Sequence, residues 1–272
     1  MSITVLKLGG ELLEDAAALK SAADAIVRLG AAGPLVVVHG GGRAIDAELK
    51  ARGVSPTFVD GLRITDAATL DTVVAVLAGR NNTALVAAIG TAGGRAVGVT
   101  GADGRIGLSS KAPLFTSVSG DVVDLGLVGE PDGTDAQLLL DLVGVGCIPV
   151  VASIGIDRGG VLLNVNADVL AAHLAGVTKA ARLIIAGGTA GVLDEEGQTV
   201  RELAVETIDA MTASGVAHSG MIAKLQACRR AFASGVRNVS IVTGKNVRDY
   251  MEAAGTRLVT SATAQVPAEI RG

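Results

Sequence analysis

Short β-rich runs alternate with Ala-rich helical stretches along the whole chain, and this alternation restricts the fold more than any other feature. Residues 3–8 read as a first strand ending at Gly9 and Gly10. Residues 15–29 follow as a helix, with Leu19, Ala22, Ala23 and Ile26 at helical spacing and Gly30 as its stop. Residues 35–39 form a second strand that runs into Gly40, Gly41 and Gly42, and residues 43–52 resume as helix. A long helix over 66–92 carries Leu70, Val73, Val74 and Leu77 on one stripe. Strands are expected at 96–100 and 147–153, with hairpin-like, turn-rich chain between Gly101 and Gly133. Residues 166–176 read as helix, 182–186 and 238–243 as buried strands, and the regions 205–214 and 221–234 as helices. The expected class is α/β: a mostly parallel central sheet sandwiched by helices. Two lobes, 1–180 and 181–272, would share that one continuous sheet.

Composition removes several functions. The chain has 272 residues, 49 % apolar side chains and 37 Gly, but its aromatic side chains are only Phe58, Phe115, Phe232 and Tyr250. A core must therefore be built from Val, Leu, Ile and Ala, and so apolar a chain is not disordered. The longest uncharged run, 142–156, is interrupted by Gly144, Gly146, Pro149 and Gly155 and falls short of the roughly 20 apolar residues of a spanning helix. A net charge of −4 and the lack of stacking rings argue against nucleic acid. Cys147 and Cys228, far apart in apolar settings, read as buried hydrophobes in a reducing compartment. The N-terminus shows no signal-peptide pattern, so the expectation is cytoplasmic, with no membrane partner.

Neither GxxxxGK[ST] nor a complete GxGxxG is present, and no HExxH or CxxC cluster suggests a metal site. His39, His173 and His218 are dispersed and read as structural or exposed. What remains is glycine at strand ends, where open α/β sheets bind ligands. Glycine turns leading into helices expose backbone N–H groups that suit an anion. Lys7 sits inside an apolar strand, which is costly without an anionic partner. Arg63, in DGLRIT, could fork onto a carboxylate or lie on the surface. Asn164, Asn166 and Asp168 lie where an apolar run meets a helix, and Asn166 or Asp168 could simply cap it. Lys224, in SGMIAK, could be an ordinary exposed lysine.

Taken in order, KLGG at Lys7, VHGGG at His39, GLRIT at Gly61, VGVTGADG at Val97, DLGLVGE at Asp124, NVNAD at Asn164 and SGMIAK at Ser219 resemble the acetylglutamate kinases of the amino-acid kinase family. The likeness runs from Ile3 to about Val259. It implies transfer of the ATP γ-phosphoryl group to the side-chain carboxylate of N-acetyl-L-glutamate, in arginine biosynthesis. It also implies that Lys7 and Lys224 flank the phosphoryl group, that Asp168 holds them in place, and that Gly10, Gly41 and Gly9 offer N–H groups. Gly41, Gly42, Arg63 and Asn164 would hold the substrate. Gly9, Gly187, Gly188 and Gly191 would lie on the nucleotide side, and Mg²⁺ would arrive with ATP rather than in a protein cage. Such a carboxylate, with a pKa near 4.3, is already ionised and needs no general base.

One departure is that the family's usual Asp falls here at Gly188. Another is the short segment before Lys7, which by resemblance implies a homodimer without strong arginine feedback. Two other functions fit parts of the pattern: a kinase of carrier-protein-linked aminoadipate or glutamate, and a non-catalytic ligand-binding paralogue.

Overall fold

A computed structural model describes residues 2–133, 135–194, 196–208, 211 and 219–260. Its centre is an eight-stranded sheet of β1 (Thr4–Leu8), β2 (Leu35–His39), β3 (Ala96–Thr100), β4 (Ile148–Ala152), β5 (Arg182–Gly187), β6 (Glu202–Ala204), β7 (Asn238–Thr243) and β8 (Gly255–Val259). The spatial order is β6-β8-β7-β5-β1-β2-β4-β3. Every pairing is parallel except β7 with β8. Strand β1 lies in the middle, so its TVLKL segment is covered on both faces, and Lys7 stands in register with Val38 and Ile185. The sheet runs unbroken past residue 180, because β5 pairs with β1 along its length.

Seven α-helices among the described residues cover the sheet: α1 (Ala16–Ala32), α2 (Gly42–Ala51), α3 (Ala67–Val74), α4 (Asn82–Thr91), α5 (Gln137–Gly144), α6 (Ala167–Val177) and α7 (Ser219–Ala233). Asp15 caps α1 by accepting the Ala18 N–H at 2.8 Å. Gly30 does not stop this helix, which continues to Ala32. A Cβ at Gly30 would lie 2.9 Å from Ile148 Cδ1, so that glycine serves the close approach of α1 to β4.

The long helix expected over 66–92 is present but not uniform. A π-helical stretch, Ala75–Asn81, joins α3 to α4. The whole stretch Ala67–Thr91 is long and apolar enough, by length and composition, to cross a membrane. In the fold its inner face packs on the rest of the protein: α4 packs on α1 and β3, and Leu77, Leu85 and Ile89 are buried.

Strands β6 and β8 and helix α5 were not expected. The first two are three and five residues long and supply too few positions to show a period. The helix expected over 205–214 begins as a 3-10 turn at Val205–Thr207; most of its remainder, like His218, lies outside the described residues. Between β3 and α6 a smaller sheet orders its strands as Ile154–Ile156, Leu162–Val165, Val128–Pro131 and Ser109–Lys111. A short hairpin, Phe115–Thr116 with Val122–Val123, lies in the expected turn-rich region, and another, Phe58–Val59 with Leu62–Arg63, precedes α3. Cys147 and Cys228 are free and buried. Burial, and then the nearby Asp168 charge, push the Cys228 thiol far up, so it behaves as a hydrophobe.

Candidate active site

At the carboxyl ends of β1 and β2 the glycine turns meet around one cavity of about 320 Å³. Lys7, Gly9, Gly10, Gly41, Gly42, Arg63, Asn164, Asp168 and Lys224 all line it, so residues more than 200 positions apart share one site. Of the residues expected there, Gly187, Gly188 and Gly191 do not.

Lys7 is buried, and its ammonium lies 2.8 Å from Asp168 Oδ1, itself buried. Asp168 is free for this pairing because Asn166 caps α6, accepting the N–H groups of Asp168 at 2.9 Å and Val169 at 3.2 Å. The two roles left open in NVNAD are therefore divided between neighbours. Removing either partner of such a buried pair strands a charge and costs about 3–5 kcal/mol.

The turns are pressed together without side chains between them. A Cβ on Gly10 would lie 2.7 Å from Gly41 Cα, so backbone meets backbone. No side chain caps the N-terminus of α2, which opens at Gly41 and Gly42 and leaves its first-turn N–H groups for an anion. Gly9 differs, since its N–H donates to Ala186 O at 2.8 Å and completes the sheet.

Side chains brace the turn after β2 from behind. His39 is buried, with its Nδ1–H donating to Gly40 O at 3.1 Å and its Nε2 accepting from Asn82 Nδ2 at 3.1 Å. Asn82 also donates to Val150 O at 2.8 Å. Burial pushes the imidazole down to about 4, despite the Gly40 carbonyl. Asn81, the last residue of the π-helical stretch, presses its amide against Gly41. Neither Asn81 nor Asn82 was anticipated; where the π-helical stretch meets α4, one lies against Gly41 and the other bonds His39.

Arg63 is held on three sides. Its Nη1 lies 2.7 Å from Asp46 Oδ1, its Nη2 donates to Gly42 O at 3.2 Å, and its guanidinium lies 4.6 Å from the Phe58 ring centroid. Asn164 donates to Thr65 Oγ1 at 3.0 Å. Both polar groups are fixed before any ligand arrives.

On the β5 side, a Cβ at Gly187 would lie 2.9 Å from Lys224 Nζ. The Gly188 N–H donates at 2.7 Å to Oε1 of Glu11, a cavity residue the motifs did not single out. Burial alone would raise the Glu11 carboxyl. Its own backbone N–H, Lys7, the Gly188 N–H and Lys224 outweigh that and hold it below the usual range. Gly191 packs elsewhere: a Cβ there would lie 2.5 Å from Thr256 Oγ1.

The site thus presents two lysines and an arginine to a ligand, with an uncapped helix start beside them. That is equipment for binding and neutralising anions. Comparison with known proteins agrees, because residues 2–243 match the Amino acid kinase family. The chain belongs to the amino acid kinase family. Among family relatives, the acetylglutamate kinase of Nitrobacter winogradskyi is 41 % identical over 246 residues, covering 89 % of this chain and 83 % of that one. The acetylglutamate kinase of Bradyrhizobium sp. strain BTAi1 is 44 % identical over 248 residues, with the same shares. Among solved structures, smu.665 from Streptococcus mutans UA159 superposes with a TM-score of 0.79 at 24 % identity, over 94 % of this chain and 98 % of that one. The N-acetylglutamate synthase from Neisseria gonorrhoeae gives 0.80 at 22 %, over 95 % of this chain and 59 % of that one. These two share the family fold.

Proposed function

We propose that the protein is an acetylglutamate kinase, transferring the γ-phosphoryl group of ATP to the side-chain carboxylate of N-acetyl-L-glutamate. One observation carries the reading most strongly. The buried Lys7–Asp168 pair, Lys224, the Gly10–Gly41 contact, Arg63 and Asn164 all border a single cavity.

A carboxylate oxygen attacks the γ-phosphorus, the bond to the β–γ bridging oxygen breaks, and ADP leaves with an acyl phosphate formed. The nucleophile is ionised at neutral pH, so no base is needed. The obstacle is the repulsion between two anions as charge spreads over the transferring group. Lys7 on β1, kept in place by Asp168, and Lys224 on α7 supply positive charge from two separate elements. The N–H groups of Gly10, Gly41 and the start of α2 supply fixed dipoles. Arg63 holds the α-carboxylate, with Asn164 beside it.

In this reading residues 1–180 hold the amino acid and 181–272 the nucleotide. Among the described residues no group of three or more His, Cys, Asp or Glu side chains could hold a metal ion. Mg²⁺ would be carried by the triphosphate and lend it charge neutralisation. The enzyme would act in arginine biosynthesis, as a cytoplasmic homodimer.

The test is ADP release coupled to acyl-phosphate trapping with hydroxylamine, using ATP and N-acetyl-L-glutamate. Turnover is expected, and none from a well-folded sample overturns the reading. Lys7→Arg should lower kcat strongly, because a planar fork does not replace a point charge in a closed strand position. A kcat within about threefold of wild type, roughly 0.7 kcal/mol, would remove Lys7 from its role.

A further inference from the structure

Glu11 is the cavity residue for which phosphoryl transfer has no obvious use, since a carboxylate repels an incoming triphosphate. Its surroundings are nevertheless built for it. A Cβ on Gly9 would lie 2.5 Å from both carboxylate oxygens, and one on Gly187 or Gly188 would lie 3.3 Å or 3.4 Å from Oε1. Glycines from two turns, one after β1 and one after β5, leave the room that this single carboxylate fills. It accepts the Gly188 N–H at 2.7 Å. Lys7 and Lys224 both act on it electrostatically, and Lys224 Nζ borders Gly187 as well.

Two consequences follow. The Gly188 N–H, expected on the nucleotide side, is committed to Glu11. The two lysines and two carboxylates, Asp168 and Glu11, balance in charge, with Asp168 directly on Lys7.

We infer that Glu11 is a positioning residue for phosphoryl transfer: its carboxylate clasps the Gly187–Gly188 turn to the Gly9–Gly10 turn and fixes the field in which Lys7 and Lys224 face the transferring group. The inference rests on the kinase reading above. It does not require Glu11 to touch either substrate. The clasp spans the division near residue 180, joining the two turns on which nucleotide and acceptor would meet. A charge-assisted hydrogen bond in such a setting is worth about a tenfold or larger effect when lost.

The experiment compares Glu11→Ala and Glu11→Gln with wild type in steady-state kinetics and in amide hydrogen exchange at Gly188. Glu11→Ala should raise the KM for ATP and lower kcat, each about tenfold, while the KM for N-acetyl-L-glutamate stays within twofold. Glu11→Gln keeps an acceptor for Gly188 but loses the charge. It should restore most of the ATP KM while kcat stays low, a split that a merely structural role would not produce. Gly188 exchange should quicken about tenfold in the alanine variant and less in the glutamine variant.

A lower ATP KM with unchanged kcat in Glu11→Ala would overturn the inference, because the carboxylate would then only occupy a phosphate seat. So would values within twofold of wild type, or a parallel rise in both KM values. An inert wild type would count against the kinase reading alone. Gly188 exchange and calorimetric ATP titration of the three proteins would still decide for or against the clasp.

Discussion

The turn after β2 and the turn after β5 both end a buried parallel strand in glycine, yet they are supported in opposite ways. Behind Gly40, Gly41 and Gly42 stand side chains: His39 bonded to Asn82, Asn81 against Gly41, and Arg63 bridging Asp46 and the Gly42 carbonyl. Around Gly187 and Gly188 the supports are mostly backbone, with the Gly244 N–H on Gly187 O at 2.7 Å and one reaching carboxylate, Glu11. A small acid with few atoms must be oriented by groups that are already fixed, which the first turn provides. A triphosphate offers many oxygens and can be met by backbone N–H groups and lysine ammonium groups. On the proposed function, the difference would separate an orienting half of the site from an accommodating half.

The largest effect that would test this contrast comes from acid. His39 is buried as the neutral ring, and protonation would set a new N–H against the Asn82 amide that now donates to Nε2. Burial lowers its folded value to about 4 from 6.5, so between those values the unfolded chain binds more protons than the native one. The associated stability is complete above about pH 6.5 and is lost as pH falls toward 4, amounting to about 3 kcal/mol. Urea unfolding at pH 7 and pH 4.5 should show this loss, and His39→Asn should flatten the acid limb relative to wild type. An unchanged limb would mean that His39 does not underpin the turn, and the contrast between the halves would weaken.

The same contrast explains what could be read from the sequence. Lys7, Arg63, Asn164 and Asp168 were legible because a polar side chain in an apolar run needs a reason, and the cavity supplies it. The strands nearest β1 were legible because each is a short apolar run ended by glycine. Glu11 was not, since its partner lies 177 positions away and nothing local marks one carboxylate among many. Asn81 and Asn82 were hidden by the π-helical stretch, which shifts the face that a regular 3.6-residue period would assign. Glycines were the hardest to assign, because the same residue type serves a turn, a ligand or a close approach. Gly30 turned out to serve packing of α1, and Gly188 to serve Glu11.

Gly191 gives the next effect in size, and it bears on the β5 side alone. Its φ of 101° is disfavoured for any residue with a Cβ. The Thr256 hydroxyl it abuts cannot retreat, since it accepts the Val192 N–H at 2.8 Å and donates to Val200 O at 2.6 Å. Gly191→Ala should therefore cost about 2 kcal/mol in denaturant unfolding, from backbone strain and the clash. The ATP KM of the folded enzyme should stay within twofold. A clear rise in that KM at unchanged stability would return Gly191 to the nucleotide and make the β5 side of the site more specific.

The smallest effect is the most selective. Arg63→Lys keeps a positive charge on the orienting side but loses the planar fork that meets Asp46 and the Gly42 carbonyl together while lying against Phe58. A lysine ammonium is a hydrated point charge and cannot hold those partners and a substrate carboxylate in one plane. The KM for N-acetyl-L-glutamate should rise about tenfold, near 1.4 kcal/mol, with the ATP KM unchanged. If both KM values rose together, Arg63 would be bracing the whole site rather than orienting one substrate. The two halves would then be one rigid unit, and the asymmetry of their supports would be a matter of packing, not of recognition.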